Sequence, residues 1–351
     1  MSPFVIKDDK SNTPVIIWLG VVCAMVALMI VVGGITRLTE SGLSMVDWRP
    51  IMGTLPPQSD TEWQTVFQAY QQFPEYKLNN QHMTLEGFKY IFYWEYGHRL
   101  LGRLIGLAYF LPFMAFLLLG KVRGTLRIKL VVGLVLGGLQ GLMGWYMVKS
   151  GLVDIPRVSH YRLAAHLLLA MFILAYLYWV ILEIQQKTVS FVNSRLFSNL
   201  LYAFAGVLVL QILYGAFTAG SRAGYGYNTF PLMNGSLIAE AVFYLDPWWI
   251  NLFESTATIQ FLHRWLGALL LIFAVLVYLV SLANIELRVV RKYTSTLMAV
   301  VIAQFLLGVL TLINVVPIGL ASLHQFGACV LLVVMVRLLY IVGSSQHEPG
   351  G

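Results

Sequence analysis

The sequence predicts an all-α integral membrane protein: eight transmembrane helices in two repeated four-helix bundles, both termini cytoplasmic. Three observations predict it. The 351 residues are 58% hydrophobic and only 11% charged, with a mean hydropathy of +0.75, whereas a soluble domain is about half apolar and about a quarter charged. Apolar runs reach the roughly 20 residues that cross a bilayer's hydrocarbon layer. Motifs in the first half of the chain also return in the second.

The runs place helices near 14–36, 90–119, 127–148, 160–183, 196–220, 257–283, 293–315 and 319–343. The segment Met1 to Thr13 has the character of neither a signal peptide nor an Arg-rich transit peptide, so the first run is read as a retained helix. The net charge of +7 is spread between apolar runs. That pattern argues for membrane orientation and against nucleic acid as a partner. Lys7, Lys10, Lys121, Arg123, Arg127, Lys129, Lys187, Arg195, Arg288, Arg291 and Lys292 share one side. Basic short loops mark the cytoplasmic face, so an even number of spans puts both termini there and the long segments 37–89 and 221–256 outside. Cys23 and Cys329 lie inside apolar runs without a CxxC pair, as buried small residues do.

The repeat is read directly. His98-Arg99-Leu100-Leu101-Gly102 returns as His263-Arg264-Trp265-Leu266-Gly267, Gln140 and Gly144 return as Gln304 and Gly308, and His166 returns as His324. Gly33-Gly34-Ile35-Thr36 matches Gly215-Ala216-Phe217-Thr218, and Arg49-Pro50-Ile51-Met52-Gly53 echoes Phe230-Pro231-Leu232-Met233-Asn234-Gly235 with one residue added. The halves are 1–185 and 186–351. They run parallel, because an even number of spans separates equivalent helices.

The second, fourth, sixth and eighth helices all run from outside to inside, and each carries a histidine near its start: His98, His166, His263 and His324. At 1.5 Å per residue all four lie roughly 8–12 Å below the outer helix ends. Ionisable residues are costly inside a membrane and mark function by default. Two imidazoles at one depth on facing helices can supply both axial ligands of a heme iron. Hydrogen-bonded packing histidines or a proton relay are the blander alternatives. Zinc fits less well, because no thiolate or carboxylate cluster accompanies the pairs. His160 and His82 lack repeat partners and are read as interfacial polar residues; His347 lies in a polar tail. Arg99 and Arg264, with Arg103 and Arg162 at the same level, either pair with heme propionates or snorkel to headgroups.

The halves differ at one informative position. Glu95 precedes His98 by three residues, where Gln260 precedes His263. Only the first site therefore has an evident acid–base group, able to move a proton or stabilise developing positive charge. The structural alternative is an ion pair with Arg99, worth little if exposed. Read this way, the N-terminal half does chemistry and the C-terminal half holds a resident heme. Gln140, Gln211 and Gln304 recur as Q-x-x-x-G and are read as interhelical packing. Trp48, Trp63, Phe67, Tyr70, Tyr225, Tyr227, Phe230, Trp248 and Trp249 suit interfacial anchoring or capping of the sites.

Gly33-Gly34-Ile35-Thr36-Arg37-Leu38-Thr39-Glu40-Ser41-Gly42-Leu43-Ser44-Met45 followed by Trp48-Arg49-Pro50 resembles the first-helix signature of the heme A synthase family of cytochrome oxidase assembly. So do Glu86-Gly87-Phe88-Lys89-Tyr90, Glu95-Tyr96-Gly97-His98-Arg99 and the segments around His263-Arg264 and His324. The resemblance implies an enzyme that oxidises a methyl substituent of heme O to the formyl group of heme A, by two hydroxylations and loss of water. It implies that His263 and His324 ligate a resident heme b, that His98 and His166 flank the substrate heme O, and that Glu95 is catalytic. It further implies partners in lipid, in a heme O synthase and in an electron-transfer protein, and is compatible with a homo-oligomer. The chain lacks the outer-loop cysteine pairs of some bacterial members, as in the alphaproteobacterial and mitochondrial branch, and a bacterial plasma membrane is expected. A di-heme b electron carrier is the alternative and predicts symmetric sites; a heme transporter needs ligands near the inner side.

Overall fold

The computed structural model describes residues 12–46, 55–151, 158–185 and 194–345. Lys7, Lys10, Trp48, Arg49, Lys187 and His347 lie outside the described residues. In hydrocarbon no water satisfies a backbone amide, so an apolar span closes its hydrogen bonds within itself as helix. Among the described residues, eight helices are long and apolar enough to cross a membrane. They are α1 (Thr13–Leu38), α2 (Leu85–Leu118), α3 (Gly124–Gly151), α4 (His160–Gln185), α5 (Arg195–Ser221), α6 (Thr256–Ala283), α7 (Arg291–Ile313) and α8 (Ile318–Ser345).

The spans match the apolar runs except at the start of α2, which begins at Leu85 rather than near residue 90. Thr84 caps it, its side chain accepting from the Gly87 N–H. The added turn carries Phe88 into an aromatic cluster with Trp63, Phe67, Tyr70, Ile91 and Phe92. Helices Asp60–Gln71 and Pro74–Asn79 bring that cluster down from the long first connection; hydropathy alone did not foresee them.

Within the first quartet, α1 packs on α2 and α4, and α3 touches α2 and α4. Within the second, α5 packs on α6 and α8, and α7 packs on both of those. The quartets meet along α1–α8, α4–α5 and α4–α8. The main apolar core lies toward the end away from the two long connections. There Leu19 and Val22 of α1, Leu174 and Leu177 of α4, Phe204 of α5 and Met335 and Leu338 of α8 are buried together. The histidines stand above this core, toward the end with the long connections, termed the outer end.

Polar contacts tie the quartets there. Arg37 donates to the Ala219 carbonyl at 2.7 Å, and Glu40 pairs with Arg222. Glu40 and Arg222 follow α1 and α5 at equivalent repeat positions, and both adopt left-handed backbone (φ 56° and 60°). His160 Nε2 lies 2.9 Å from the Phe253 carbonyl oxygen, and Tyr161 donates to Glu254. A methyl on Gly220 would lie 2.6 Å from His160 Cβ, so glycine there lets α4 and α5 meet closely.

Candidate functional site

Each of the four histidines rests its imidazole on a glycine of the preceding helix. A Cβ on Gly33 of α1 would lie 3.1 Å from His98 Nε2, and one on Gly144 of α3 would lie 3.2 Å from His166 Cε1. In the second quartet the corresponding distances are 3.0 Å from Gly215 of α5 to His263 Cε1 and 2.9 Å from Gly308 of α7 to His324 Cε1. These glycines lie five to seven residues from the outer ends of their helices, so the imidazoles share a level roughly 8–10 Å down.

His263 and His324 face each other. Their ring centroids are 6.3 Å apart and their planes cross at 87°. Two imidazoles on opposite sides of one metal, with bonds of about 2 Å and centroids about 1.1 Å behind each nitrogen, come out about 6 Å apart. The pair is therefore spaced for one iron between its rings. The Nδ1 atoms of both histidines are buried without a completed hydrogen bond, while the backbone carbonyls of Gln211 and Gln304 lie beside the rings. Coordination at one ring nitrogen fixes the proton on the other, and such a carbonyl is the partner that proton needs. The donor set fits a bis-imidazole heme. In the first quartet His98 and His166 lie within electrostatic range of each other. No cluster of three or more His, Cys, Asp or Glu suited to a metal ion occurs among the described residues, so the histidines stand as pairs.

Two of the three Q-x-x-x-G glutamines, Gln140 and Gln304, hydrogen-bond from helix to helix. Gln304 Nε2 donates to the His324 carbonyl at 2.6 Å, and Gln140 Nε2 donates to the His166 carbonyl at 3.1 Å. Gln140 and Gln304 therefore hold the backbones of α4 and α8 while glycine admits the rings of those helices. Gly308→Ala tests this directly. Alanine favours helix over glycine by about 1 kcal/mol, so the substitution strengthens α7 locally while its methyl displaces His324. We expect about ten-fold weaker heme retention, read from the heme-to-protein absorbance ratio; unchanged retention would contradict the contact.

Above each pair, an outer loop is clamped by an arginine. Arg99 Nη2 donates to the Met45 carbonyl at 2.9 Å and to Glu95 Oε1 at 2.5 Å. Arg264 Nη2 donates to the Tyr227 carbonyl at 2.6 Å and to Gln260 Oε1 at 3.2 Å, and its Nη1 reaches the Thr229 carbonyl at 2.8 Å. The clamps are alike, yet their charges differ. Glu95, 2% exposed, also accepts from Ser44 Oγ at 2.8 Å and from the Met45 N–H at 2.7 Å. The ion pair weighed from sequence as exposed thus forms in a buried setting, with the Arg99 side chain 10% exposed. Arg264 donates to neutral acceptors, and its Nε is buried without a partner.

Of the residues read from sequence, Glu95, His98 and Arg99 share one outer-end cluster with the loop Ser44–Met45, and His263 and Arg264 share another with Gln260 and the loop Tyr227–Thr229. His82 is exposed, and His160 serves the junction between quartets. Sequence reading missed Ser44 and Glu75, a buried acid of helix Pro74–Asn79 with an unpartnered Oε2. Ser44 stood only within the family signature, with no role of its own, and Glu75 lay unmarked in the outer segment that precedes α2.

A family model described as Cytochrome oxidase assembly protein matches residues 16–336. A protein of Nitrosospira multiformis named heme A synthase is 49% identical over 335 residues, 93% of each chain. One of that name from Azorhizobium caulinodans is 45% identical over 341 residues, 97% of this chain and 96% of the relative. A third, from Wolbachia pipientis wMel, is 45% identical over 315 residues, 89% and 88% of the two chains. With its two histidine-bearing quartets, the chain belongs to the cytochrome oxidase assembly protein family, alongside these heme A synthases.

Proposed function

We propose that the chain is a heme A synthase, an oxidoreductase that converts a methyl substituent of heme O to the formyl group of heme A for cytochrome oxidase assembly. The observation that carries this is the difference between two otherwise matched sites: Glu95 beside His98, against Gln260 beside His263. An amide has no proton to give or take at physiological pH, whereas a buried carboxylate held by three donors is pre-organised for both proton transfer and charge stabilisation.

In this reading residues 1–185 form the substrate half. His98 and His166 flank the iron of heme O, and Glu95 faces the substrate from its hydrogen-bonded seat. Residues 186–351 form the resident half, with His263 and His324 as ligands of heme b. That group, when bound, supplies one-electron redox capacity. Arg264 donates to uncharged groups, so its positive charge remains to offset carboxylates of a permanently held heme. The charge of Arg99 is already met by Glu95, which suits a site that exchanges its ligand.

Packing supports the same division. In the second quartet α6 and α7 lie together along much of their length, whereas α2 and α3 touch sparingly. Gly97 and Gly106 of α2 and Gly137, Gly138 and Gly141 of α3 have nothing near the position of a side chain. A seam of this kind lets a lipid-soluble porphyrin pass sideways to the first site. The protein is a multi-pass membrane protein; we place it in a bacterial plasma membrane with both termini inside, supplied by a heme O synthase and coupled to an electron-transfer partner. Incubating the purified chain with heme O, an electron-transfer partner and membrane lipid, then chromatographing the extracted hemes, tests the proposal. Heme A should appear. Its absence with substrate bound and resident heme intact would contradict the activity.

A further inference from the structure

Glu75 is a buried acid that the site described above does not use. It lies in helix Pro74–Asn79, part of the first outer connection, and is 6% exposed. Its Oε2 is buried with no hydrogen-bond partner. The Tyr70 hydroxyl, fully buried, accepts from Asn80 Nδ2 at 2.7 Å and lies within electrostatic range of Glu75. Glu95 and Glu40 both act on Glu75 electrostatically, and Tyr70 also feels Glu95. Just beyond, Lys77, Leu78 and Asn79 are exposed. Glu75 therefore stands between the carboxylate of the N-terminal site and the outer aqueous face.

The two carboxyls, within electrostatic range of each other, have sharply different settings. Glu95 is held by a guanidinium, a hydroxyl and an amide N–H. Glu75 has a bare oxygen in an apolar aromatic cluster. Burial, reinforced by the neighbouring Glu95 and Glu40 charges, pushes Glu75 up to about 8. At pH 7 Glu75 carries a proton, and it loses it as pH rises through about 8.

We propose that Glu75 is the proton-exchange partner of Glu95, linking the N-terminal site to water on the outer face. It is a positioning residue that acts through Glu95 and does not itself touch the substrate. This rests on the proposed function, in which Glu95 receives a proton from the substrate site. Once Glu95 is neutral, the charge that kept the Glu75 proton in place is gone, and that proton leaves for outer water. The proton on Glu95 then passes to Glu75, through water or the Tyr70 hydroxyl. One O–H bond breaks on Glu95 and one forms on Glu75, so the starting charges return. One proton enters and one leaves, and no electron moves in the exchange.

Glu75→Gln keeps the size and neutrality of the protonated side chain but removes the exchangeable proton. In the purified full-length chain, the variant should retain resident heme at wild-type level. Its rate of heme A formation should fall about 10²-fold, and the alkaline limb expected of the wild type near pH 8 should vanish. Glu75→Asp, which keeps a carboxyl, should recover part of the rate and the limb. Without any substrate, infrared spectra of the wild type should show a protonated carboxyl band that titrates near pH 8 and is missing in Glu75→Gln. If Glu75→Gln matches the wild type in rate and pH profile, or if its infrared band is unchanged, the role is overturned. A wild-type chain that forms no heme A contradicts the proposed function instead, and the substrate-free infrared titration separates that failure from one at Glu75.

Discussion

On the proposed ligation, replacing His263 or His324 with alanine should strip heme b from the purified chain, lowering heme-to-protein stoichiometry by at least about ten-fold. Each ring fills the space beside a glycine, where an added Cβ would lie 3.0 Å from His263 Cε1 and 2.9 Å from His324 Cε1, and the pair is separated by 6.3 Å between centroids. Truncating one leaves a single ligand and an opening of ring size that nothing nearby fills. The fold itself survives, because the buried core of α1, α4, α5 and α8 lies away from the rings. Far-ultraviolet circular dichroism of the variant should therefore match the wild type while its Soret absorbance collapses. A variant that keeps wild-type Soret absorbance would reassign the ligand.

The second large effect is at Glu95. Glu95→Gln makes the first site resemble the second, where Gln260 occupies the matching place. Heme A formation should fall about 10²-fold or more, while heme b bound by the second quartet stays at wild-type level. The substitution also leaves the Arg99 charge without its carboxylate partner, so the first site should come to resemble the retentive one. Heme O co-purifying with this variant should rise. Normal heme A in its extracted pigments would remove Glu95 from the chemistry. Glu95→Ala is the harsher test. It strips partners from Ser44 Oγ and the Met45 N–H, so loop disorder would add to any chemical loss.

Much of this was legible because membrane physics leaves few choices. A run such as Val15 to Gly33 can only be a helix in hydrocarbon, and a histidine there is costly enough to need a reason. The repeat then supplied the pairing, since His98 and His263 share their neighbours Arg99 and Arg264. The role of the glycines was half visible. Gly33 with Gly215, and Gly144 with Gly308, stood out as repeated small residues, but only the structure shows that an imidazole occupies the space each leaves. The outer segment was harder to read. Helix Asp60–Gln71 is polar on one face, and its signal was local: Ser59 capping the Glu62 N–H, and Glu62 reaching back to the Gln58 N–H. Glu75 gave no sequence signal, because its burial comes from Tyr70 and other residues of the cluster, brought together only by folding.

In the proposed function each half grips its porphyrin through its own histidine pair, the second permanently and the first in passing. The most direct measurement is chromatography of hemes extracted from a purified chain carrying His98→Ala and His166→Ala together. Heme b should remain at the wild-type ratio to protein, with heme O and heme A both gone. Loss of heme b along with them, or persistence of heme O, would contradict it.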